Sequence, residues 1–305
     1  MTAGAALVAA CSSTKPGEVA EDGSVTVKHV FGETKIPAPP KRVVSAGFTE
    51  QDDLLAVGVV PIAITDWFGG EPFGVWPWAQ PKLGAAQPVV LSLADGIPVD
   101  QIASLKPDLI VATNAGLDQD TYTKLSAIAP TIAQSGSDAF FEPWKDQATA
   151  IGQAVFKADD MAKLIVDVDQ KFAAVGKNNP QFAGKKVLLL GGTLYQDSVR
   201  VTTQGWRTDF LTNMGFTIPD TGGLVPRDKM ASALDGADVL IWKTESDDEQ
   251  AALLADPIVA KLRATIQNRI VFTGKDLAGA IAFASTLSYP VVADQLPPRI
   301  AQVLA

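Results

Sequence analysis

The chain is poor in the side chains that most often hold metal ions or cross-link small folds. Its 305 residues include one cysteine and one histidine. One cysteine excludes an internal disulfide and a zinc cluster built from cysteines, and one histidine excludes a metal site with several histidine ligands. Basic residues are also scarce, with 25 against 34 acidic residues and a net charge of -9. Without a basic run, this balance excludes the charge pattern of a nucleic-acid-binding protein.

Sequence motifs for phosphate binding and hydrolysis are missing as well. The chain has no G-x-G-x-x-G after a strand, no G-x-x-x-x-G-K-[ST] and no G-x-S-x-G. A Ser-His-Asp triad would need His29, which lies in a predicted terminal hairpin and which we interpret as a surface residue. The pairs Asp52-Asp53 and Asp247-Asp248 lie in predicted helices, and we interpret both as solvated faces. We therefore predict that the protein is not an enzyme and needs no cofactor.

One long helix separates two similar series of short strands and helices. Apolar residues recur at helical spacing from Asp159 to Val175, before Gly176 and Pro180. Alternating strands and helices on both sides are typical of a mainly parallel sheet with both faces covered. We predict an α/β fold of two lobes, each a mainly parallel sheet covered by helices, joined by this one long interdomain helix. The predicted parts are residues 1–24, a signal segment and flexible tether; 25–142, the N-terminal lobe; 143–180, the connecting segment with its helix at about 159–175; and 181–305, the C-terminal lobe.

The first residues predict where the protein is located. Val8-Ala9-Ala10-Cys11 looks like a bacterial lipobox, in which the cysteine is lipid-modified and becomes the mature N-terminus. The apolar segment before it is far too short to span a bilayer. A buried core cysteine is the alternative. We expect lipidation at Cys11 and an extracytoplasmic protein that is lipid-anchored to the cell membrane.

A loop rich in glycine and proline between residues 66 and 81 carries five aromatic residues. Loops that a rigid scaffold presents often carry function, and exposed aromatic rings would form an adhesive patch unless something covers them. Two interpretations stay open from the sequence. Either several rings line a cleft, or the loop folds onto itself with Trp76 and Trp78 as a local core.

Four features together resemble the class III substrate-binding proteins of ABC importers, the family that delivers ferric siderophores, haem and cobalamin. They are the lipobox, the strand opening Pro40-Lys41-Arg42-Val43-Val44, the segment from Pro98 to Ile110 with its Leu-Lys-Pro-Asp-Leu-Ile core, and the long helix between two α/β lobes. The resemblance covers roughly Val25 to the end. It implies a monomeric binding protein that holds its ligand in the cleft between the lobes, with a long helix that allows only small closing motions.

The resemblance also implies a docking surface for the membrane permease. In the family, a glutamate on one exposed helix of each lobe contacts arginines of the permease. At the corresponding places this chain has Asp100 and, as our candidate, Asp228, each shorter than glutamate by one methylene. One carboxylate per lobe lets a permease hold both lobes through ion pairs. The alternative is that both are ordinary acids at helix N-termini that interact with the helix dipole.

The ligand-binding residues can be argued from residue type. An iron chelate is bulky, partly planar and often anionic, so aromatic rings can supply flat contact area and arginine can bind carboxylate or catecholate oxygens. The candidates lie at predicted carboxyl ends of strands or at helix starts, where open α/β sheets bind ligands. Lobe core is the alternative for the last two tryptophans, and ordinary surface for the two arginines. The predicted set is Trp67, Phe68, Trp76, Tyr195, Arg200, Arg207, Trp206 and Trp242.

Several ligands fit this description. A ferric siderophore is the first hypothesis. Haem is the second, and Tyr195 is then the best candidate for an axial ligand because His29 is badly placed. Cobalamin is the third, since an aromatic cleft suits a corrin as well. From a different class of function, an extracytoplasmic enzyme or an interaction protein could keep the same two-lobed fold.

Overall fold

The computed structural model describes residues 17–305. Cys11 and the lipobox lie outside the described residues. The first elements form a two-stranded antiparallel hairpin that packs on the N-terminal lobe. Its alternation places His29 inward, where the ring is 7% exposed and lies 2.9 Å from the Thr34 hydroxyl. The interpretation of His29 as a surface residue was therefore wrong, and burial lowers its pKa. The two strands are β1 (Val25–His29) and β2 (Gly32–Ile36).

The N-terminal lobe contains a five-stranded sheet in which every neighbouring pair of strands is parallel. Its strands are short and fully buried at the centre, as expected for a sheet with both faces covered. The elements in chain order are β3 (Val43–Ser45), α1 (Glu50–Ala56), β4 (Ala63–Thr65), β5 (Val89–Leu91), α2 (Val99–Ser104), β6 (Leu109–Ala112), α3 (Gln119–Ser126) and β7 (Thr131–Ala133). The strand order across the sheet is β5-β4-β3-β6-β7.

Two helices connect the lobes: α4 (Trp144–Ala154) and the long α5 (Ala158–Asn178). The apolar face of α5 packs into the N-terminal core through Met161 and into the C-terminal core through Phe172. The predicted interdomain helix is confirmed, and it continues past Gly176. A side-chain carbon at Gly176 would meet the Met214 carbonyl oxygen at 2.9 Å, so the glycine permits close packing on the second lobe instead of ending the helix.

The C-terminal lobe contains a mixed five-stranded sheet in the order β10-β9-β8-β11-β12. Its first two strands form an antiparallel hairpin whose turn residues Gln196 and Asp197 both have positive φ, as a type I′ hairpin turn requires. The elements are β8 (Val187–Tyr195), β9 (Ser198–Val201), α6 (Asp209–Asn213), β10 (Leu224–Pro226), α7 (Met230–Leu234), β11 (Val239–Lys243), α8 (Asp247–Ala255), α9 (Arg263–Ile266), β12 (Ile270–Phe272), α10 (Lys275–Phe283) and α11 (Ser288–Leu304).

An aromatic contact joins the two lobes beside α10. Trp76 is 1% exposed, stacks on Trp78 with ring centroids 5.0 Å apart, and packs edge-on against Phe283 of the second lobe. Gly279 allows this approach, because a side-chain carbon there would lie 2.5 Å from the Trp76 ring. At the rim, the Lys275 amine lies 2.7 Å from the Glu71 carboxylate. Part of the aromatic loop is therefore a contact between lobes rather than a free surface.

A second contact between the lobes is polar and involves the acidic start of α1. The Asp52 carboxylate accepts hydrogen bonds from the Ser285 hydroxyl at 2.6 Å and from the Trp78 indole at 2.8 Å. Asp53 accepts from the Thr286 hydroxyl at 2.9 Å. Both carboxyl groups are fully buried, so the interpretation of this pair as a solvated face was wrong. These two contacts, the aromatic one and the polar one, are together called the interlobe seam below.

Burial of these carboxyl groups changes their acidity. Burial raises the pKa of Asp52 and of Asp53, and it raises the pKa of the neighbouring Glu50 to about 7. One Asp52 oxygen and one Glu50 oxygen have no hydrogen-bond partner among residues 17–305. An ionised carboxylate with a buried, unpaired oxygen is costly, so these groups keep their protons to higher pH than exposed carboxyl groups do.

Replacing Gly279 should test the packing of the seam. We expect Gly279→Ala to lower the free energy of unfolding by about 1–3 kcal/mol, because the added methyl group collides with the fixed Trp76 indole. Alanine would otherwise favour the helix by up to about 1 kcal/mol. Gly236→Ala is the control, since nothing lies within 4 Å of a side-chain carbon there. Urea unfolding of both variants measures the effect, and equal stabilities would contradict tight packing at the seam.

The buried Asp52 should make stability depend on pH. A carboxyl group whose folded pKa is raised keeps its proton where the unfolded chain has lost it, so its contribution to stability falls as the pH rises from about 4 toward 7. Asp52→Asn stays neutral throughout and keeps an acceptor for Ser285 and Trp78. We expect the melting temperature of the variant, relative to the original protein, to rise by about 2 °C or more between pH 5 and pH 8.

The control for that measurement is Asp247→Asn, the same chemical change at an exposed position at the start of α8. Its melting temperature relative to the original protein should not change between the two pH values. If Asp52→Asn behaves like Asp247→Asn, burial of the Asp52 carboxyl has no thermodynamic consequence.

Candidate functional site

A cleft of about 530 Å³ opens between the lobes, and both lobes contribute to its walls. The N-terminal lobe supplies Trp67, which follows β4, and Phe141, which precedes α4. The C-terminal lobe supplies Arg200 on β9, Arg207 before α6 and Lys243 at the end of β11. The floor and edges come from Leu189, Val201, Thr202, Thr203, Trp206, Gly223, Ile281, Ala282, Ala284 and Tyr289.

The N-terminal side of the cleft is aromatic. The Trp67 ring lies 4.8 Å from Phe141, and behind it Phe48 stacks at 5.5 Å. Phe283 contacts Trp67 from the second lobe at 5.8 Å, which ties this wall to the interlobe seam. Phe141 has a φ of 59°, and its backbone N–H donates to the Asn114 side chain at 2.8 Å, a bond that holds the ring at the cleft. We call Trp67 and Phe141, with Phe48 behind them, the aromatic wall.

The C-terminal side of the cleft is positively charged. Arg207 lies between two rings, with its guanidinium carbon 4.4 Å from the Trp206 ring centre and 5.1 Å from that of Phe141. Such contacts orient a guanidinium group while its N–H donors stay available. Within residues 17–305, no carboxylate lies within 4.0 Å of the charged nitrogens of Arg200, Arg207 or Lys243. We call these three residues the cationic wall.

The surroundings of Lys243 make its ammonium group more acidic than that of an exposed lysine. Burial lowers the pKa of Lys243 to about 8, and the guanidinium groups of Arg207 and Arg200 act in the same direction. Burial also lowers the pKa of Arg207. A cluster of cations without carboxylate partners, one of them partly buried, beside aromatic rings is suited to binding an anion with a flat or apolar part.

Four of the eight predicted ligand residues line the cleft, namely Trp67, Arg200, Trp206 and Arg207. The others lie elsewhere. Trp76 belongs to the interlobe seam, and Phe68 packs between Trp76 and Phe283, with ring centroids 5.1 and 6.3 Å away. Tyr195 is 52% exposed at the outer end of β8 and is not among the lining residues.

Trp242 is fully buried in the C-terminal core, so the expectation that it lines the cleft needs correction. Successive side chains on a strand point to opposite faces, and the next residue, Lys243, is the one that reaches the cleft. Sequence reasoning missed Lys243, Phe141 and Tyr289. Lys243 follows a run of buried strand residues, so the rule that ligands bind at the carboxyl ends of strands could have identified it.

The two predicted docking residues are exposed. Asp100 lies in the first turn of α2. Asp228 lies in a short 3₁₀ turn, Arg227–Lys229, just before α7, and its side chain is 73% exposed and 3.6 Å from the Lys229 amine. Their role at a permease stays a prediction.

Two further observations concern residues 17–305 only. None of the helices in this range is both long and apolar enough to cross a membrane. In the same range, no three histidine, cysteine, aspartate or glutamate side chains are grouped so that they could hold a metal ion.

Comparison with known proteins adds to this geometry. The chain is similar to the periplasmic solute binding protein from Mycobacterium smegmatis str. MC2 155, whose crystal structure superposes with a TM-score of 0.92 at 71% identity, covering 93% of this chain and 100% of that one. PiaA from Streptococcus pneumoniae TIGR4, solved in complex with ferrichrome, has a TM-score of 0.74 at 22% identity over 92% of this chain and 98% of that one, a likeness of fold.

Two relatives found by sequence similarity are also binding proteins by name. The "Probable siderophore-binding lipoprotein YfiY" of Bacillus subtilis (strain 168) is 30% identical over 218 residues, which is 70% of this chain and 64% of that protein. The "Fe(3+)-citrate-binding protein YfmC" of the same organism is 25% identical over 224 residues, 69% of this chain and 66% of that protein. The chain thus matches slightly less than two thirds of the length of these relatives.

A sequence model of one protein family, described as periplasmic binding protein, matches residues 43–277. This range includes both sheets, α5 and all the cationic residues of the cleft. The predicted fold class, the resemblance to class III substrate-binding proteins and the interpretation as a binding protein rather than an enzyme are confirmed. The chain belongs to the periplasmic binding protein family.

Proposed function

We propose that this protein captures an iron chelate, a ferric siderophore, in the interlobe cleft and delivers it to the permease of an ABC importer. The observation that carries the proposal is the pairing of an aromatic wall on one lobe with three unpaired cations on the other, about a cleft of about 530 Å³. A cleft of this size and character suits a bulky chelate with anionic oxygens and flat apolar parts. Relatives named for siderophore and ferric citrate binding support the same choice.

The proposal includes a location and a partner. A lipid anchor at Cys11 would keep the monomeric protein outside the cytoplasm at the membrane surface, where the permease is found. Relatives that are named lipoproteins support this. Asp100 and Asp228 are exposed carboxylates on different lobes, as a permease that contacts both lobes would need.

Haem and cobalamin are tested beside the siderophores. Tyr195, the predicted axial ligand for haem, is not part of the cleft lining, and no feature of the cleft favours a macrocycle over a chelate.

Binding by the aromatic wall should depend on Trp67. We expect Trp67→Ala to weaken the binding of a ferric siderophore about tenfold or more, because a central aromatic contact in a binding site contributes about 2 kcal/mol or more. Tyr122→Ala is the control, since Tyr122 lies on α3 and is not among the residues that line the cleft, and its loss should change affinity less than about twofold. Equilibrium dialysis with iron, or cobalt for cobalamin, measured by atomic absorption avoids the inner-filter effect of coloured ligands on tryptophan fluorescence.

The panel for this measurement comprises ferric catecholates, ferric citrate, ferrichrome, haem and cobalamin. Saturable binding of at least one ferric chelate with micromolar or tighter affinity supports the proposal. Saturation by haem alone, or by cobalamin alone, would replace the siderophore with that ligand. Absence of binding across the panel would refute the transport function.

Docking should depend on the two exposed carboxylates. In cells that depend on this protein for iron, we expect Asp100→Arg combined with Asp228→Arg to reduce uptake of radiolabelled ferric chelate about fivefold or more, since like charges would then face each other at the permease. Chelate binding by the purified variant should not change. Asp120→Arg, at another exposed position in the first turn of a helix, is the control. Normal uptake by the double variant would refute the docking role.

A further inference from the structure

The cationic wall brings three basic side chains together in a chain whose net charge is -9. Elsewhere in residues 17–305 many lysines and arginines lie beside carboxylates, as Lys145 does with Asp169 and Arg227 with Asp256, each pair at 2.5 Å. The three cations of the cleft have no such partner. Arg200 and Arg207 are exposed, whereas Lys243 is partly buried. A partly buried cation without a partner loses hydration and gains nothing in return, so the retention of Lys243 indicates that an external anion supplies the missing charge.

The largest charge effects on the Lys243 amine add to this imbalance. Arg200 faces it from β9 and Arg207 from the loop before α6, and both raise the local positive potential. Glu245, two residues further along the chain, is exposed and its attraction is the weakest of the charge effects on Lys243. On α11, the buried Tyr289 keeps its proton, because burial raises its pKa. Asp138 attracts Arg207, but the two guanidinium groups have a larger effect on Lys243 than Glu245 does. The electrostatic potential at the Lys243 amine is therefore positive.

We propose, resting on the proposed function, that the cleft selects ferric chelates by negative charge, and that Lys243 is a specificity-determining residue for this selection. The preferred class carries several anionic oxygens, from catecholate or hydroxycarboxylate groups, on the face toward the cationic wall. Its apolar or aromatic part lies against the aromatic wall. Neutral or positively charged hydroxamate chelates leave the three cations unpaired and bind less tightly.

Contacts with the aromatic wall should distinguish catecholate chelates from ferric citrate. A catecholate carries its own rings, which can stack on Trp67 and Phe141, whereas ferric citrate has no ring to offer. A catecholate should therefore depend on both walls, and ferric citrate on the cationic wall alone.

Selection by charge should also depend on pH. Lys243 is protonated below about pH 8 and loses its charge as the pH rises through that value. Affinity for an anionic chelate should then fall between pH 7 and pH 9. A Lys243→Gln variant has no charge to lose at this position. The dissociation constant of the variant, divided by that of the original protein, should therefore approach one at pH 9.

The experiment measures dissociation constants by equilibrium dialysis for four probes: an iron(III) triscatecholate, ferric citrate, the neutral chelate ferrichrome and the positively charged ferrioxamine B. The proteins are the original chain, Lys243→Gln, Lys243→Arg and the control Lys185→Gln, which removes an exposed lysine outside the cleft. We expect Lys243→Gln to lose about tenfold or more for the anionic probes and less than about twofold for ferrichrome, as loss of a charge-assisted hydrogen bond implies. Lys243→Arg should restore most of the affinity, and Lys185→Gln should match the original.

The outcomes separate this inference from the proposed function. Tight binding of ferrichrome or ferrioxamine B with weak binding of both anionic probes would leave the siderophore function in place and refute selection by charge. Equal losses for anionic and neutral probes in Lys243→Gln would show that the lysine supports the cleft only structurally, and would also refute it. If affinity for the anionic probes depends on pH in the same way in Lys243→Gln and in the original protein, loss of the Lys243 charge is not the cause of that dependence. Absence of binding of all four probes would refute both proposals.

Discussion

The interlobe seam is the contact on which the rest of the structure depends. Buried hydrogen bonds link Asp52 to Ser285 and Asp53 to Thr286, and beside them Gly279 lets α10 approach the Trp76 ring. The two walls of the cleft belong to different lobes, so their separation is set by this seam together with α5. An apolar contact alone could slide, whereas buried hydrogen bonds require one register, because an unpaired donor or acceptor in that place is costly.

The seam also accounts for the apparent excess of aromatic residues in the loop after β4. Trp76, Trp78 and Phe68 hold the lobes together, which leaves Trp67 to face the cleft. Ring contacts continue from the seam through Phe283 to Trp67 and on to Phe48. A small closing motion of the lobes would therefore move the aromatic wall as part of a packed cluster, and not as a single mobile side chain.

Basic and acidic side chains are separated between the cleft and the outer surface. The protein is acidic overall, yet its cleft concentrates unpaired cations, and one of them, Lys243, lies at the carboxyl end of a buried strand. The exposed carboxylates Asp100 and Asp228 are on the outer surface of different lobes. Positive charge inside and negative charge outside suit a carrier that takes up an anion and meets a partner rich in arginine.

The sequence by itself determined the class of fold, because hydrophobic periodicity is a local property: the spacing from Met161 to Phe172 predicted α5, and short buried runs predicted the parallel strands. It suggested aromatic rings and arginines as cleft residues, but it left open which of them are core or ordinary surface. Only the tertiary structure decided which polar residues are buried, since the acidic start of α1 has the composition of a solvated helix end and is covered by a turn more than two hundred residues away. The same holds for Trp242 and Lys243, adjacent residues of one strand. Which of them reaches the cleft depends on which face of the sheet is packed under helices and which borders the cleft, and that is a relation between distant segments that no local pattern contains.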